Sequence, residues 1–192
     1  MFRTNFLNIP FAQNNLSLVV FDDFLTRVKD VERIIEVGTG CGIFSMFLGI
    51  YCFYNDKKMI TYDIKSNIQE KTKKMFKVLG VDYRIKNIFE NVLEIENDIK
   101  SQGRTVVLCD NGDKTREFLL FSKFLKTGDF ILAHDYARDL EFFNSNIKDK
   151  YWNWFEISDK KIQDVCFEHN LESFMQDEFE KCAWVCKQKT SY

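Results

Sequence analysis

The feature that most constrains the fold of this chain is a regular alternation between short apolar runs and longer segments with helical periodicity. The helix-like segment after the second run is predicted to begin at Ser66 as its N-cap and to end at Gly80 as its C-cap. Strands that alternate with such helices are typical of parallel sheets with helices on both faces, so the pattern predicts an α/β fold with a Rossmann-like, doubly wound, mostly parallel sheet. The five β-like runs are RIIEV (33–37), MITYDI (59–64), DYRIKNI (82–88), TVVLCD (105–110) and DFILAHD (129–135).

The last part of the chain departs from this alternation. Two further β-like runs, NLESFM (170–175) and CAWVCK (182–187), are separated only by the polar stretch QDEFEK. A connection this short favours an antiparallel pair over a parallel one, so we predict a C-terminal antiparallel hairpin at one edge of a seven-stranded sheet. Upstream, LSLVVFDDFLTRV (16–28) predicts an amphipathic helix that covers the sheet.

Length and composition indicate a globular protein with one core. The 192 residues contain no linker rich in proline or glycine, so residues 1–192 are predicted to form one domain, with residues 1–30 as an N-terminal lead and helix. We expect no signal peptide and no membrane span, since the longest apolar run covers 12 residues.

The six cysteines include no C-x-x-C pair, which predicts reduced thiols and a cytoplasmic location. The net charge of −2 argues against a nucleic-acid partner.

Three alternating glycines follow the first predicted strand, in the stretch IIEVGTGCGIFSMFL. A loop that opens a helix presents free backbone N–H groups, and glycine lets a ligand approach them closely; the alternative is a tight turn without a ligand. The spacing fits neither a P-loop nor a dinucleotide fingerprint, because no Lys-Ser or Lys-Thr follows and no glycine stands three residues after Gly40. Glu36 works against a pyrophosphate but suits a cationic amino group, and Asp63 can accept the hydroxyls of a ribose.

The pattern E-x-G-x-G-x-G after strand one, with an acid ending strand two, resembles the class I S-adenosylmethionine-dependent methyltransferases. Their seven-stranded sheet also matches the five β–α units and the terminal hairpin. The resemblance implies S-adenosyl-L-methionine as cofactor, with the glycines under its methionine part, Glu36 near its amino group, Asp63 on its ribose and residues 87–89 on its adenine. The implied cofactor contacts are Glu36, Gly38, Thr39, Gly40, Gly42, Asp63, Ile64, Asn87, Ile88, Phe89 and Asp110.

Polar residues at the ends of strands four and five are candidates for the chemistry, because ligands of open α/β sheets bind beyond the carboxyl ends of the strands. LCDNGDK supplies Asp110 and Lys114, and LAHDY supplies His134 and Asp135. Two carboxylates and an imidazole suit a divalent cation or an acid/base pair. The stretch resembles metal-dependent O-methyltransferases of the catechol type and the macrocin and rhamnosyl type, which implies a Mg²⁺ site of Asp110, Asp135 and His134 and a general base at Lys114 or His134.

Two departures from those families keep a metal-free mechanism open, with His134 as base. His134 stands where the macrocin and rhamnosyl group tends to have an acid, and Tyr136 stands where the catechol group has an amide ligand. Trp152 and Trp154, just before the final hairpin, are read as core or lid residues without a role in the chemistry.

The resemblance as a whole implies an O-methyltransferase that acts on a small or terminal hydroxyl, with a sugar or glycan favoured and a phenol as the second choice. The sequence leaves a homodimer open. A nucleic-acid methyltransferase is disfavoured, since CDNGD lacks the Asn-Pro-Pro-Tyr type of motif after strand four. A non-catalytic binding module is disfavoured by the intact glycine loop and strand-end acids.

Overall fold

The central feature of the fold is a seven-stranded sheet. The computed structural model describes residues 4–6 and 9–191. The sheet strands are β3 Val31–Val37, β4 Lys58–Asp63, β5 Asp82–Ile85, β6 Arg104–Cys109, β7 Phe130–His134, β8 Leu171–Ser173 and β9 Trp184–Lys189. Their order is β5-β4-β3-β6-β7-β9-β8, in which β9 runs antiparallel to both of its neighbours and the other pairs are parallel. The shorter strands β1 Thr4–Phe6 and β2 Ile9–Phe11 form a separate antiparallel pair.

Helices connect the strands. They are α1 Asn15–Arg27, α2 Ile43–Tyr54, α3 Glu70–Leu79, α4 Val92–Lys100, α5 Lys114–Phe121, α6 Leu140–Phe142, α7 Asp159–Glu168 and α8 Gln176–Glu180, with a 3₁₀ turn at Ser122–Phe124 and a π-helical turn at Phe143–Ile147. The predicted amphipathic helix is α1, whose N-cap Asn14 accepts a hydrogen bond from the backbone N–H of Leu16.

The predicted architecture is confirmed, and two predicted boundaries are wrong. Ser66 does not cap α3, which begins four residues later with Gln69 at its N-cap, because the intervening segment buries Ile68 in the core. The third strand ends at Ile85 rather than at residue 88, since the Asn87 side chain accepts a hydrogen bond from the N–H of Phe89 and turns the chain. Gly80 caps the C-terminus of α3 in a left-handed conformation, as predicted.

The C-terminal hairpin is confirmed in its pairing but not in its connection. β8 and β9 pair antiparallel as predicted, yet the polar stretch between them forms the short helix α8. β9 lies between β7 and β8, so β8 is the edge strand. The sequence pattern also missed α7, which lies between β7 and β8.

Aromatic rings fill the core between α1 and β9. Phe21 contacts Trp184 edge to face with ring centroids 5.1 Å apart, and Phe24 contacts Phe179 in the same way at 5.5 Å. These four side chains are fully buried, and such pairs add to the stabilisation that their burial supplies. The cluster surrounds Trp184 at the start of β9, where Trp184 pairs with His134 at the end of β7.

The cysteines behave as expected for buried thiols. None forms a disulfide within the described residues, and Cys52, Cys109, Cys182 and Cys186 are buried. In the same part of the chain, no helix combines the length and the apolar character needed to cross a membrane.

Candidate cofactor and active site

A cavity of about 820 Å³ lies at the carboxyl ends of the parallel strands. It is walled by loops after β3, β4, β6 and β7, by residues 11–13, and by residues 149–154. This is the crevice where ligands of open α/β sheets bind. Ten of the predicted site residues line it: Glu36, Gly38, Thr39, Gly40, Asp63, Ile64, Asp110, Lys114, His134 and Asp135.

The first two glycines of the loop have different roles. Gly38 has φ +108°, and a Cβ there would lie 2.3 Å from the backbone oxygen of Asp110, so a side chain has no room at this junction of two strand ends. Gly40 has φ +53° and open space around it, and its N–H donates to Asp63 Oδ2 at 2.9 Å. Both glycines line the cavity, and Gly40 is the one with open space around it.

Gly42 serves helix packing. It precedes α2 with φ +80°, and a Cβ there would lie 2.8–3.0 Å from side-chain atoms of Thr72, Ile68 and Phe76. Gly42 is not among the residues that line the cavity.

The three residues predicted to contact adenine also lie outside the cavity. Ile88 is buried in the core, Asn87 donates to Glu90 Oε1 at 2.8 Å, and the Phe89 ring is covered by the Arg116 guanidinium at 3.8 Å.

Glu36 is a buried acid at the inner wall of the cavity. Its Oε2 accepts hydrogen bonds from the Ser45 hydroxyl and, at 2.6 Å, from the Thr61 hydroxyl. Burial raises the pKa of Glu36 to about 8, although these two hydrogen bonds oppose the rise. Removal from water thus favours the neutral form of this carboxyl beside the glycine loop.

This shift makes stability depend on pH. The unfolded carboxyl ionises near 4.5 and the folded one near 8, so stability should fall as pH rises through that window, by up to about 1.4 kcal/mol per pH unit. Glu36→Gln keeps a hydrogen-bond acceptor and cannot ionise. We measure the free energy of unfolding by urea denaturation. The value for Glu36→Gln minus the value for the wild type is expected to increase from pH 5 to pH 8. Glu168→Gln, at an exposed position, is the control. If the free energy of unfolding depended on pH in the same way in the wild type and in Glu36→Gln, the assignment would be contradicted.

A hydrogen-bonded network joins the ends of β6 and β7. His134 Nδ1 lies 3.0 Å from Asp110 Oδ1, and Gln13 Nε2 donates to Asp110 Oδ2 at 2.5 Å. Lys114 Nζ lies 2.9 Å from Asp135 Oδ2, and the Trp152 indole N–H donates to Asp135 Oδ1 at 2.5 Å. All four carboxylate oxygens thus face protein donors.

These donors decide whether the predicted magnesium site fits. Mg²⁺ needs carboxylate oxygens directed at the ion, whereas those of Asp110 and Asp135 are directed at an imidazole, an amide, an ammonium and an indole. Within residues 4–6 and 9–191, no group of three or more His, Cys, Asp or Glu side chains is arranged to hold a metal ion. The donor set does not fit the predicted Mg²⁺.

The surroundings of Lys114 favour the charged form of its side chain. Its ammonium donates to the Asn111 carbonyl at 2.6 Å and lies near Asp135 and, at 3.5 Å, Glu156. Burial would lower the pKa of Lys114, but the charges of Asp135 and Asp110 outweigh it and raise the pKa above the usual value. A charged ammonium cannot accept a proton, so these surroundings favour His134 over Lys114 as general base.

His134 lies in a column of four rings. Its imidazole stacks on Trp184 with centroids 4.8 Å apart and contacts Trp152 at 4.7 Å, and Trp152 contacts Trp154 at 5.2 Å. His134 Nε2 is buried and has no hydrogen-bond partner among the described residues. The sequence reading assigned no role to Gln13, Trp152 or Trp154; the closely spaced tryptophans of YWNW after the fifth strand were the only available signal.

Comparison with known proteins gives matches in structure alone. No protein-family model matches the sequence, and no curated protein resembles it significantly. The apo structure of CmcI-N160 has a TM-score of 0.65 at 10% identity, covering 98% of this chain and 77% of that one. A Mg-SAM structure of CmcI-D160 has a TM-score of 0.62 at 10% identity, covering 96% and 76%. An O-methyltransferase family protein from Burkholderia thailandensis has a TM-score of 0.55 at 11% identity, covering 91% and 57%.

These likenesses concern the arrangement of strands and helices, since identities of 10–11% carry no information on individual residues. The chain shares the fold of these solved structures, among them that of the O-methyltransferase family protein.

Proposed function

We propose that this protein is an S-adenosylmethionine-dependent O-methyltransferase that uses His134, without a metal, to activate a hydroxyl of a small or terminal acceptor. The observation that carries the proposal is the Asp110–His134 pair, 3.0 Å apart, in the wall of the same cavity as Gly40 and Asp63. The fold alone leaves the reaction open. The pair adds a base next to a cofactor-sized pocket.

The cofactor fits the side chains on the β3 and β4 side of the cavity. Gly40 presents bare backbone, Asp63 offers carboxylate oxygens to ribose hydroxyls, and Glu36 offers a carboxyl to the amino group. The volume of about 820 Å³ lies in the range of pockets that enclose small ligands. When bound, S-adenosylmethionine would supply a methyl group on a sulfonium, whose leaving electron pair stays on sulfur.

His134 then performs the proton chemistry. Its Nδ1–H donates to the Asp110 carboxylate, which leaves the lone pair of Nε2 as the proton acceptor. Nε2 would take the proton of the acceptor hydroxyl, which would leave the oxygen electron pair free to accept the methyl group that the cofactor supplies. A hydroxyl bound there would also provide the hydrogen-bond partner that Nε2 lacks.

Calorimetry with S-adenosylmethionine tests the cofactor assignment. We expect the wild type to bind and Asp63→Ala to lose at least about tenfold in affinity, because a charge-assisted hydrogen bond contributes roughly 1.5–3 kcal/mol. Asp22→Ala, at an exposed position on α1 away from the cavity, is the matched control. Equal affinities for wild type and Asp63→Ala would contradict the assignment.

A transfer assay with labelled methyl separates the metal-free reaction from the metal-assisted one. We expect turnover to be unchanged in excess EDTA, because the strand-end carboxylates are already occupied by protein donors. Loss of turnover in EDTA that Mg²⁺ restores would favour the metal-assisted alternative implied by the family resemblance. The acceptor panel of this assay includes sugars, phenols and nucleic acids.

A further inference from the structure

A buried glutamine from the N-terminal part of the chain reaches the strand ends that line the cavity. Gln13 lies between β2 and α1 and is 4% exposed. Its Nε2 donates to Asp110 Oδ2, and its Oε1 accepts from the Trp184 indole N–H at 3.0 Å. A buried amide costs free energy unless its polar atoms are paired, and both ends of this amide are paired. Gln13 thus links two side chains that lie 97 and 171 residues away along the chain.

Trp184 fixes the direction in which the Gln13 amide points. An indole N–H can only donate, so the carbonyl oxygen of Gln13 faces Trp184 and the NH₂ group faces Asp110. A reversed amide would direct its NH₂ group at the indole N–H and its oxygen at a carboxylate, and neither contact is a hydrogen bond. Trp184 is fully buried and contacts Phe21 edge to face at 5.1 Å, so its packing keeps the N–H in this direction.

Gln13 in turn fixes the carboxylate of Asp110. Because the amide holds Oδ2, Oδ1 is the oxygen that faces His134 Nδ1, 3.0 Å away. A carboxylate can only accept, so Nδ1 carries the proton and Nε2 keeps its lone pair. The second carboxylate near the imidazole does not compete, since Asp135 Oδ1 lies 3.8 Å from Nδ1 and accepts from the Trp152 indole N–H.

We infer that Gln13 is a positioning residue for the proposed base, through which the Trp184 N–H sets the tautomer of His134. The inference rests on the proposed function for the role of His134 in the reaction. An imidazole with its proton on Nε2 would present a donor to the acceptor hydroxyl and could not take the proton of that hydroxyl. An apolar side chain of the same length would fill the space of Gln13 without setting the tautomer, and this difference makes the role testable.

Trp184 also contacts His134 directly. The two rings stack with centroids 4.8 Å apart and an interplanar angle of 19°, and the two residues pair across β7 and β9. The stack defines the plane of the imidazole, whereas the hydrogen bonds through Gln13 and Asp110 define which nitrogen carries the proton. Trp184→Phe keeps a ring for the stack and removes the N–H, so this variant separates the two effects.

Nitrogen-15 NMR of the full chain in alkaline buffer, without cofactor or acceptor, tests the tautomer. The chain has two histidines, so His169→Gln identifies the signals of His134. We expect a protonated Nδ1 and an unprotonated Nε2 in the wild type. In Gln13→Met the two nitrogens should become more alike in chemical shift, because an Asp110 side chain without its anchor lets both tautomers form. A wild type protonated on Nε2, or wild-type shifts in a folded Gln13→Met, overturns the inference.

Two further variants complete the NMR test. Gln163→Met, the same change at an exposed position on α7, should leave the His134 signals unchanged. Trp184→Phe should move these signals in the same direction as Gln13→Met, because the amide loses the donor that orients it. This variant tests the inference even if Gln13→Met does not fold, and unchanged His134 signals in Trp184→Phe overturn it.

The transfer assay measures the effect on the reaction. The kcat of Gln13→Met should lie about tenfold or more below that of the wild type, the factor expected when a hydrogen bond to a charged group is lost. The double variant Gln13→Met/Trp184→Phe should be no slower than the slower single variant, because both changes act through the same hydrogen bonds. If the two losses multiplied, Trp184 would act apart from Gln13 and the inference would be wrong.

The NMR signals and the transfer assay separate this inference from the proposed function. The expected change of tautomer in Gln13→Met, in a protein whose wild type neither binds S-adenosylmethionine nor transfers methyl, supports the positioning and contradicts the methyltransferase assignment. Transfer that is equally fast in the wild type and in Gln13→Met overturns the positioning and leaves the methyltransferase assignment intact.

Discussion

Replacing Gly38 by alanine is expected to destabilise the protein by roughly 4 kcal/mol or more, a large part of the stability of an ordinary domain. The new Cβ would lie 2.3 Å from the backbone oxygen and 2.5 Å from the backbone carbon of Asp110. Neither atom belongs to a flexible side chain, so the ends of β3 and β6 would have to separate. Urea denaturation followed by circular dichroism measures the effect.

Two other glycines provide matched controls with left-handed backbones. Gly40 and Gly80 have φ values of +53° and +66°, and nothing lies within 4 Å of an added Cβ at either position. Each alanine variant should therefore cost only about 1–2 kcal/mol, from the conformation alone. Of these two, only Gly40→Ala should also weaken the binding of S-adenosylmethionine, because Gly40 lines the cavity. A Gly38→Ala variant as stable as Gly80→Ala would contradict the packing account.

Replacing His134 by glutamine is expected to lower kcat by about 10²- to 10⁴-fold, the usual contribution of a general base. Glutamine removes the proton-accepting nitrogen that Asp110 orients. The binding of S-adenosylmethionine should be retained, since the imidazole lies on the β6 and β7 side of the cavity. Steady-state kinetics with the acceptor found in the transfer screen, together with calorimetry, measures both quantities.

The second histidine provides the control for this variant. His169 lies at the C-terminal end of α7 and does not line the cavity, so His169→Gln should keep wild-type kcat. A kcat of His134→Gln equal to that of His169→Gln would assign the base to another group.

Much of the fold and part of the site could be predicted because they depend on local pattern. Helical segments between β-like runs leave room only for parallel crossovers, and parallel strands bring their carboxyl ends to one edge. Cys109 pairs with Ala133 in the β6–β7 register, so Asp110 and His134, the next residue on each strand, become neighbours. The functions of individual glycines depend on what lies opposite them. Gly42 follows Gly40 by two residues, just as Gly40 follows Gly38. Gly42 nevertheless faces side chains of α3 and of the segment before α3.

The sequence by itself determined the sheet, the glycine loop and the set of polar side chains at the strand ends, since these follow from periodicity and from chain direction. Only the tertiary structure decided which partners those side chains have. Gln13 lies 97 residues from Asp110 in the chain, and Trp152 lies 17 residues from Asp135. Whether a carboxylate binds a metal, an imidazole or an indole depends on which groups the fold brings next to it. The sequence around the carboxylate does not show partners that are distant along the chain.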